Sequence, residues 1–140
     1  MISRAHLQEI VDQARAEAPN EACGLLATRG DRVVASYPLT NVDASPVHYT
    51  VDPQEQLRAL IDIDERGWEL GAIFHSHTHT RAYPSATDIG LAFYPDIAYV
   101  IISLARPEPE VRAFRIRDGV VHEESIAIVS GEPVDQETTV

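Results

Sequence analysis

The chain has 140 residues, 44% of them hydrophobic, which is enough for one domain that buries about two thirds of its unfolded surface. Its 22 acidic and 11 basic side chains give a formal charge of −11. This charge argues against a nucleic-acid partner, because phosphate binding needs clustered Lys and Arg. The sequence has one cysteine, which excludes an internal disulfide and fits a reducing compartment. It has neither a signal-peptide pattern nor an apolar run near the roughly 20 residues of a membrane helix, so a cytoplasmic protein is expected.

Hydrophobic periodicity and turn residues predict alternating helices and strands. In chain order the sequence predicts a helix over 3–18, strands over 21–27 and 33–39, a short strand over 48–51, a helix over 53–66, a strand over 70–74, a helix from 85 to about 95, and strands over 98–104, 111–117 and 120–126. Residues 130–140 resemble a loose polar tail, which leaves residues 1–129 as the expected domain.

Caps and turns support several of these boundaries. Asp52 followed by Pro53 suits the start of the second helix, in which Leu57, Leu60 and Ile61 are expected to face the core. Gly30-Asp31 and Asp118-Gly119 are hairpin signals between neighbouring strands.

Two histidines follow the predicted strand over 70–74. If the strand continues, His75 and His77 share one of its faces and Ser76 points to the other, because side chains alternate along a strand. Paired imidazoles suit a divalent metal such as zinc. The pair alone is a weak indication, since a histidine at a strand end is often a surface residue or a core residue with its own hydrogen bonds.

A third ligand can come from the next helix. A catalytic zinc site has three protein ligands and leaves one position for water. Ser85 is a suitable helix N-cap, and Asp88 then falls in the first turn. The strand end and the helix start can therefore bring His75, His77 and Asp88 to one point.

The full spacing is more specific than the histidine pair. His-x-His, seven residues, Ser, two residues and Asp, with a glutamate at the entrance of an earlier apolar strand, resembles the JAMM/MPN+ zinc metallopeptidases. The matching residues are Glu21, His75, Ser76, His77, Ser85 and Asp88. The resemblance spans roughly residues 2–128. It implies an α/β fold, a single JAMM/MPN-type domain in which helices flank a curved mixed β-sheet.

The resemblance also implies roles for these side chains. The metal ligands for Zn²⁺ would be His75, His77 and Asp88. Glu21, which on local sequence alone is an ordinary loop carboxylate, would accept a proton from the attacking water and pass it to the leaving amine. Ser85 would stabilise the oxyanion, in addition to its role as an N-cap.

Other residues near the motif are given more ordinary interpretations. Ser76 is expected to hold neighbouring backbone, and Cys23 to be a small buried hydrophobe and not a nucleophile. His79 is expected on the substrate side or in solvent. Arg81 and Tyr83, in the loop between the ligands, are candidates for substrate contact.

Loop residues point to one branch of the family. Thr78 stands where many members have proline, and Asn-Glu-Ala-Cys-Gly and Ala-Tyr-Pro-Ser resemble the small bacterial branch that acts on ubiquitin-like sulfur-carrier proteins ending in Gly-Gly. That resemblance implies hydrolysis of the amide bond after the Gly-Gly, which releases cysteine in cysteine biosynthesis or trims the carrier's tail.

Two other functions stay open. One is a broader deconjugase or peptidase for ubiquitin-like tags or short peptides. The other is a non-catalytic MPN interaction scaffold, which the complete set of ligand positions disfavours. No oligomeric state is predicted.

Overall fold

A computed structural model describes residues 1–92 and 94–129, so Phe93 and the predicted tail over 130–140 lie outside the described residues. The elements are β1 (Ile2–Ser3), α1 (Arg4–Glu17), β2 (Cys23–Arg29), β3 (Arg32–Leu39), α2 (Pro53–Glu65), β4 (Glu69–His77), α3 (Ala86–Gly90), β5 (Ala98–Ser103), β6 (Glu110–Arg117), β7 (Val120–Glu124) and β8 (Ile128–Val129). Within the described ranges, no helix has the length and apolar character needed to cross a membrane.

Six strands form the central sheet in the order β3-β2-β4-β5-β6-β7. Strands β4 and β5 run parallel, whereas the other neighbours in this sheet are antiparallel. The predicted hairpins at Gly30 and Gly119 are present, and both glycines have positive φ. The predicted mixed sheet flanked by helices is therefore confirmed.

Helix α1 covers one face of the sheet. It begins where the Ser3 side chain accepts a hydrogen bond from the backbone N–H of His6. Its buried side recurs at helical spacing through Ile10 and Ala14. The core on this side includes Phe74 and Ile102, so this face supplies a large part of the apolar burial.

Helix α2 lies on the opposite face, but it is rotated relative to the prediction. Ala59 and Ile63 are its buried residues, whereas Leu57 and Ile61 are 59% and 48% exposed. The expectation that Leu57 and Ile61 face the core was wrong, while Leu60 is partly buried against it. The helix carries two adjacent apolar stripes, and packing on the sheet selects one of them.

Two further expectations about local structure were wrong, and one pair of strands was missed. Residues 48–51 form no strand and contribute one isolated bridge, Asn41 with Val51. The helix that begins after Ser85 ends at Gly90 instead of continuing to about residue 95. The two-residue strands β1 and β8, which pair in parallel, were not predicted, because such short segments have no detectable period.

Strand β4 carries the two histidines of the sequence motif, and it packs closely against its neighbour β2. A Cβ on Gly24 would lie 2.4 Å from the Phe74 ring and 2.5 Å from the Tyr37 carbonyl oxygen, so this position has no room for a side chain. Ser76 points away from the histidines, and its hydroxyl accepts a hydrogen bond of 2.8 Å from the Ala22 N–H. Ser76 thus holds neighbouring backbone, as expected, and ties β4 to the entrance of β2.

Candidate metal centre

Strand alternation brings the two histidines together. Strand β4 continues to His77, so His75 and His77 lie on the same face. Both side chains are buried, with 2% and 4% of their surface exposed. Their Nε2 atoms are 3.1 Å apart, close enough to bind one ion.

The start of α3 brings Asp88 to the same point. Asp88 Oδ2 lies 3.2 Å from His75 Nε2 and 3.0 Å from His77 Nε2. The same oxygen accepts a 2.8 Å hydrogen bond from the Ser85 N–H, while the Ser85 hydroxyl accepts one of 3.1 Å from the Asp88 N–H. This reciprocal capping box fixes the carboxylate at the helix start.

Asp88 is held in its ionised form. Burial alone would raise the pKa of this carboxyl, but hydrogen bonds from His75 and His77 outweigh burial and lower it well below its usual range. An ionised carboxylate is the form that binds a cation.

His77 has a second partner that sets its tautomer. Its Nδ1 lies 2.9 Å from the Arg81 carbonyl oxygen, which can only accept a hydrogen bond. Nδ1 therefore carries the proton, and Nε2 presents its lone pair to the site when the ring is neutral. Burial alone lowers the pKa of His77, but hydrogen bonds to Asp88 and Arg81 raise it overall, so a metal would displace a proton here.

His75 is held differently. Its Nδ1 is buried and has no hydrogen-bond partner among the described residues. The Tyr49 ring stacks on the His75 ring instead, with centroids 4.8 Å apart and an angle of 27° between the planes. Burial raises the pKa of Tyr49 above its usual range, so its hydroxyl stays neutral.

Glu21 lies at the entrance of β2 and is 4% exposed. Burial, with a further contribution from the Asp88 charge, raises the pKa of this carboxyl to about 7, against the opposing effect of His77. Its Oε1 is buried without a hydrogen-bond partner in the described ranges. An unpartnered buried carboxylate near two charged groups is typical of a reactive residue.

This donor set fits a divalent metal ion. Two imidazole nitrogens and one carboxylate oxygen lie within 4.8 Å of one another, and His77 has the outer hydrogen bond that metal-binding histidines usually make. Three protein ligands leave a coordination position open, which is the pattern of catalytic and not of structural zinc sites.

The structure separates the remaining candidates from this cluster. Cys23 is fully buried, and burial raises its pKa to about 12, so it is no thiolate nucleophile. His79 is exposed and lies outside the group of three ligands. The Arg81 guanidinium lies over the Tyr83 ring, 5.0 Å from its centroid, on the loop that also supplies the carbonyl for His77.

Sequence reasoning missed two residues beside the site, Tyr49 and Asn41. Tyr49 falls in the segment that was wrongly predicted as a strand, and no pattern indicated that its ring contacts His75. Asn41 lies in a predicted loop, yet it is buried and its side chain donates a 3.0 Å hydrogen bond to the Glu21 carbonyl oxygen.

Residues 3–117 match the family described as prokaryotic homologs of the JAB domain. The chain belongs to this family. It is 44% identical over 136 residues to the CysO-cysteine peptidase of Mycobacterium tuberculosis, covering 92% of this chain and 91% of that protein. It is also 35% identical over 118 residues to the desampylase of Haloferax volcanii, covering 82% and 83% of the two chains.

Solved structures agree with this assignment. A protein from Desulfitobacterium hafniense is 45% identical, with a TM-score of 0.82 over 94% of each chain. A JAB1/MPN domain protein from Archaeoglobus fulgidus shares the fold, with a TM-score of 0.64 at 20% identity over 91% of this chain and 97% of that one. This JAB domain is a JAMM-type hydrolase, as the resemblance in its sequence predicts.

Proposed function

We propose that this JAB domain is a zinc-dependent hydrolase that cleaves the amide bond after the C-terminal Gly-Gly of a ubiquitin-like sulfur-carrier protein and releases cysteine, as a step in cysteine biosynthesis in the cytoplasm. The observation that carries the metal chemistry is the convergence of His75, His77 and Asp88, whose ligand atoms lie within 4.8 Å of one another. The substrate follows from the 44% identity to a CysO-cysteine peptidase.

The two imidazoles and the Asp88 carboxylate would hold the ion. Bound zinc would act as a Lewis acid, able to polarise a carbonyl and to make a water molecule more acidic. Asp88 is kept ionised and His77 is kept in one tautomer, so these ligands are preorganised for the ion in the metal-free protein.

Glu21 is the proton carrier in this proposal. Its carboxylate would accept a proton from the attacking water and deliver it to the leaving amine. Its pKa of about 7 in the metal-free protein, caused mainly by burial, makes the carboxylate more basic than an exposed one. The charge of a bound cation would lower that value and so favour the carboxylate, which is the form that accepts a proton.

Ser85 is proposed to stabilise the oxyanion. Its hydroxyl oxygen accepts a hydrogen bond from the Asp88 N–H, which leaves the hydroxyl hydrogen available as a donor. The capping role and the catalytic role therefore use different atoms of one hydroxyl, and Ser85→Ala would remove both.

The surroundings of the ligands support a leaving residue with a small, uncharged side chain. A cavity of about 320 Å³ reaches His75 and Asp88. Aromatic and aliphatic side chains make up much of its wall, among them Leu25, Ile73, Leu91, Tyr94 and Tyr99. The glycines of the carrier tail would let its backbone approach the ligands closely, because they bring no Cβ.

The 35% identity to a desampylase favours a second candidate, a broader deconjugase of ubiquitin-like tags. The same residues would then act on an isopeptide bond. A non-catalytic scaffold would have no need for the prepared ligands or for the buried Glu21 carboxylate.

The test is a mass measurement on an intact carrier that bears a C-terminal cysteine. We expect the zinc-loaded protein to remove one cysteine residue, and chelation to abolish the reaction. Glu21→Gln is the matched control, because it should keep the metal while turnover falls by about 10²-fold or more. Survival of this conjugate while isopeptide-linked conjugates are cut would establish the second candidate instead.

A further inference from the structure

The loop over residues 41–51 contacts both halves of the candidate centre. We define it here as the 41–51 loop; Asn41 pairs with Val51 at its base. The backbone of Glu21 is held on one side of it, and the ring of His75 on the other. Neither of these supports comes from β2 or β4.

The Asn41 side chain makes four hydrogen bonds, three of them within the loop and one to Glu21. It is 8% exposed, and its amide donates to the Glu21 carbonyl oxygen at 3.0 Å and to the His48 carbonyl oxygen at 3.1 Å. Its side-chain oxygen accepts from the N–H groups of Asp43 and Thr50, both at 3.1 Å. All four hydrogen-bonding positions of this amide are therefore used, which fixes its orientation.

The loop also holds Glu21 from its amide side. The Glu21 N–H donates a 2.8 Å hydrogen bond to the Ser45 carbonyl oxygen. Both backbone hydrogen-bonding groups of Glu21 therefore end on the 41–51 loop. The carboxylate itself has no hydrogen bond to Oε1 from any described residue, so its position depends on how its backbone is held.

Tyr49 holds the other half of the centre. His77 is oriented by the Arg81 carbonyl, but the Nδ1 of His75 has no such partner in the part of the chain that the structure describes. The stacked Tyr49 ring covers a face of the His75 ring and restrains its rotation, in addition to the contact of Nε2 with Asp88. An aromatic stack here takes the place of the outer hydrogen bond that metal-binding histidines usually make.

We propose that the 41–51 loop is a positioning element for the centre, in which Asn41 positions the Glu21 carboxylate and Tyr49 positions His75 for the metal. The inference rests on the proposed function, because it assigns these residues to a metal ligand and a proton carrier. It predicts that the two loop residues control different properties. Tyr49 sets metal affinity, whereas Asn41 sets turnover.

Metal affinity of Tyr49 variants tests the first assignment without any substrate. Competition of zinc with a chromophoric chelator should show about 10- to 100-fold weaker binding for Tyr49→Leu, which removes the ring. Tyr49→Phe keeps the ring and should bind zinc as tightly as the wild type. Val47→Ala, on an exposed side chain of the same loop, is the control and should also leave the affinity unchanged. Equal affinity for Tyr49→Leu and Tyr49→Phe would overturn the role of Tyr49.

A measurement on the wild type covers the case in which Tyr49→Leu does not fold. The ring protons of His75 in the metal-free protein should show an upfield NMR shift from the Tyr49 ring, with His75→Gln used to assign them. The shift should persist in Tyr49→Phe. Its absence from the wild type would overturn the proposed stack.

Turnover of Asn41 variants tests the second assignment. Asn41→Asp keeps the shape but replaces the two N–H donors with an acceptor, which repels the Glu21 carbonyl oxygen. We expect kcat to fall about 10-fold or more with KM and zinc affinity unchanged, because a small misplacement of the proton carrier is costly. If Asn41→Asp does not fold, Asn41→Ser is judged on kcat alone, because it also removes the oxygen that accepts from the N–H groups of Asp43 and Thr50. An unchanged kcat in the variant that folds, or a parallel loss of zinc affinity in Asn41→Asp, would overturn the role of Asn41.

The Tyr49 part of this inference can fail independently of the proposed function, because its test needs no substrate. A wild-type protein that binds zinc but does not cleave the carrier conjugate would contradict the proposed substrate, and the Tyr49 affinities would still decide the positioning role of its ring. A wild-type protein that cleaves the conjugate, with both loop variants behaving as wild type, would contradict only this inference.

Discussion

Alternate residues of β4 meet two different environments. Phe74 points to the α1 side, where it is fully buried among aliphatic side chains. His75 and His77 point to the other side, where they meet Asp88 and where Oε1 of Glu21 and Nδ1 of His75 are buried without partners among the described residues. Side chains alternate along a strand, so at the end of β4 one face can contribute apolar packing while the other holds unsatisfied polar groups for chemistry.

The largest contrast between the faces is expected for His77→Ala. This variant should lose the metal and more than about 10³-fold of its turnover, because one ligand and its prepared tautomer are gone. Its thermal unfolding in the presence of chelator should stay close to that of the wild type, since the α1 core is intact. Elemental analysis measures the first effect, and circular dichroism the second.

His79→Ala is the matched control for that experiment. His79 is an exposed histidine two residues away on the same segment, so its removal should leave metal content unchanged. Equal zinc in the wild type and His77→Ala would contradict the ligand assignment. Loss of zinc in His79→Ala would add a ligand that the geometry does not include.

A smaller effect concerns how the buried Glu21 changes the stability of the metal-free protein with pH. The pKa of Glu21 is about 7 in the folded chain against 4.5 for an ordinary glutamate side chain, chiefly because of burial. The folded protein thus retains this proton over a range in which the unfolded chain releases it. The stability that it contributes is fully present below pH 4.5 and is lost as the pH rises through about 7.

The comparison with Glu21→Gln isolates this effect. From pH 4.5 to 8 in chelator, the free energy of unfolding of the wild type should fall relative to that of Glu21→Gln by up to about 3 kcal/mol. Urea unfolding at a series of pH values measures the difference. Parallel pH profiles for the two proteins would show that the Glu21 carboxylate is solvated in the folded chain.

The smallest effect is expected on the opposite face. Phe74→Leu should lower the free energy of unfolding by about 1 to 2 kcal/mol, because it leaves part of the ring's volume empty in a close-packed core. Zinc stoichiometry should stay at the wild-type value. Loss of zinc without loss of stability in this variant would show that the two faces of β4 are not separable in this way.

Much of the fold was predictable because local sequence patterns indicate its helices and hairpins. Helix α1 has apolar residues at helical spacing. Gly30 and Gly119 mark hairpin turns, because glycine adopts positive φ at low cost. The orientation of α2 was not predictable in this way. Leu57 and Ile61 are as apolar as Ala59 and Ile63, and the choice between the two stripes depends on the sheet on which the helix packs.

Local sequence patterns were sufficient to predict that His75, His77 and Asp88 lie together. Strand alternation places His75 beside His77, and the capping box places Asp88 in the first turn of α3; both are properties of neighbouring residues. The roles of Glu21 and Ser85 came from the family pattern and stay predictions until the variants are measured.

The way these groups are held depends on contacts between distant parts of the chain. Tyr49 stacks on His75 across 26 residues of sequence, and Asn41 bonds to the Glu21 carbonyl across 20. The Arg81 carbonyl reaches His77 because the intervening loop turns back over β4 and β5, where Ser103 also donates a hydrogen bond to the Thr80 carbonyl. Such contacts leave no periodic trace in the sequence, since they depend on where a loop lies after the sheet has formed.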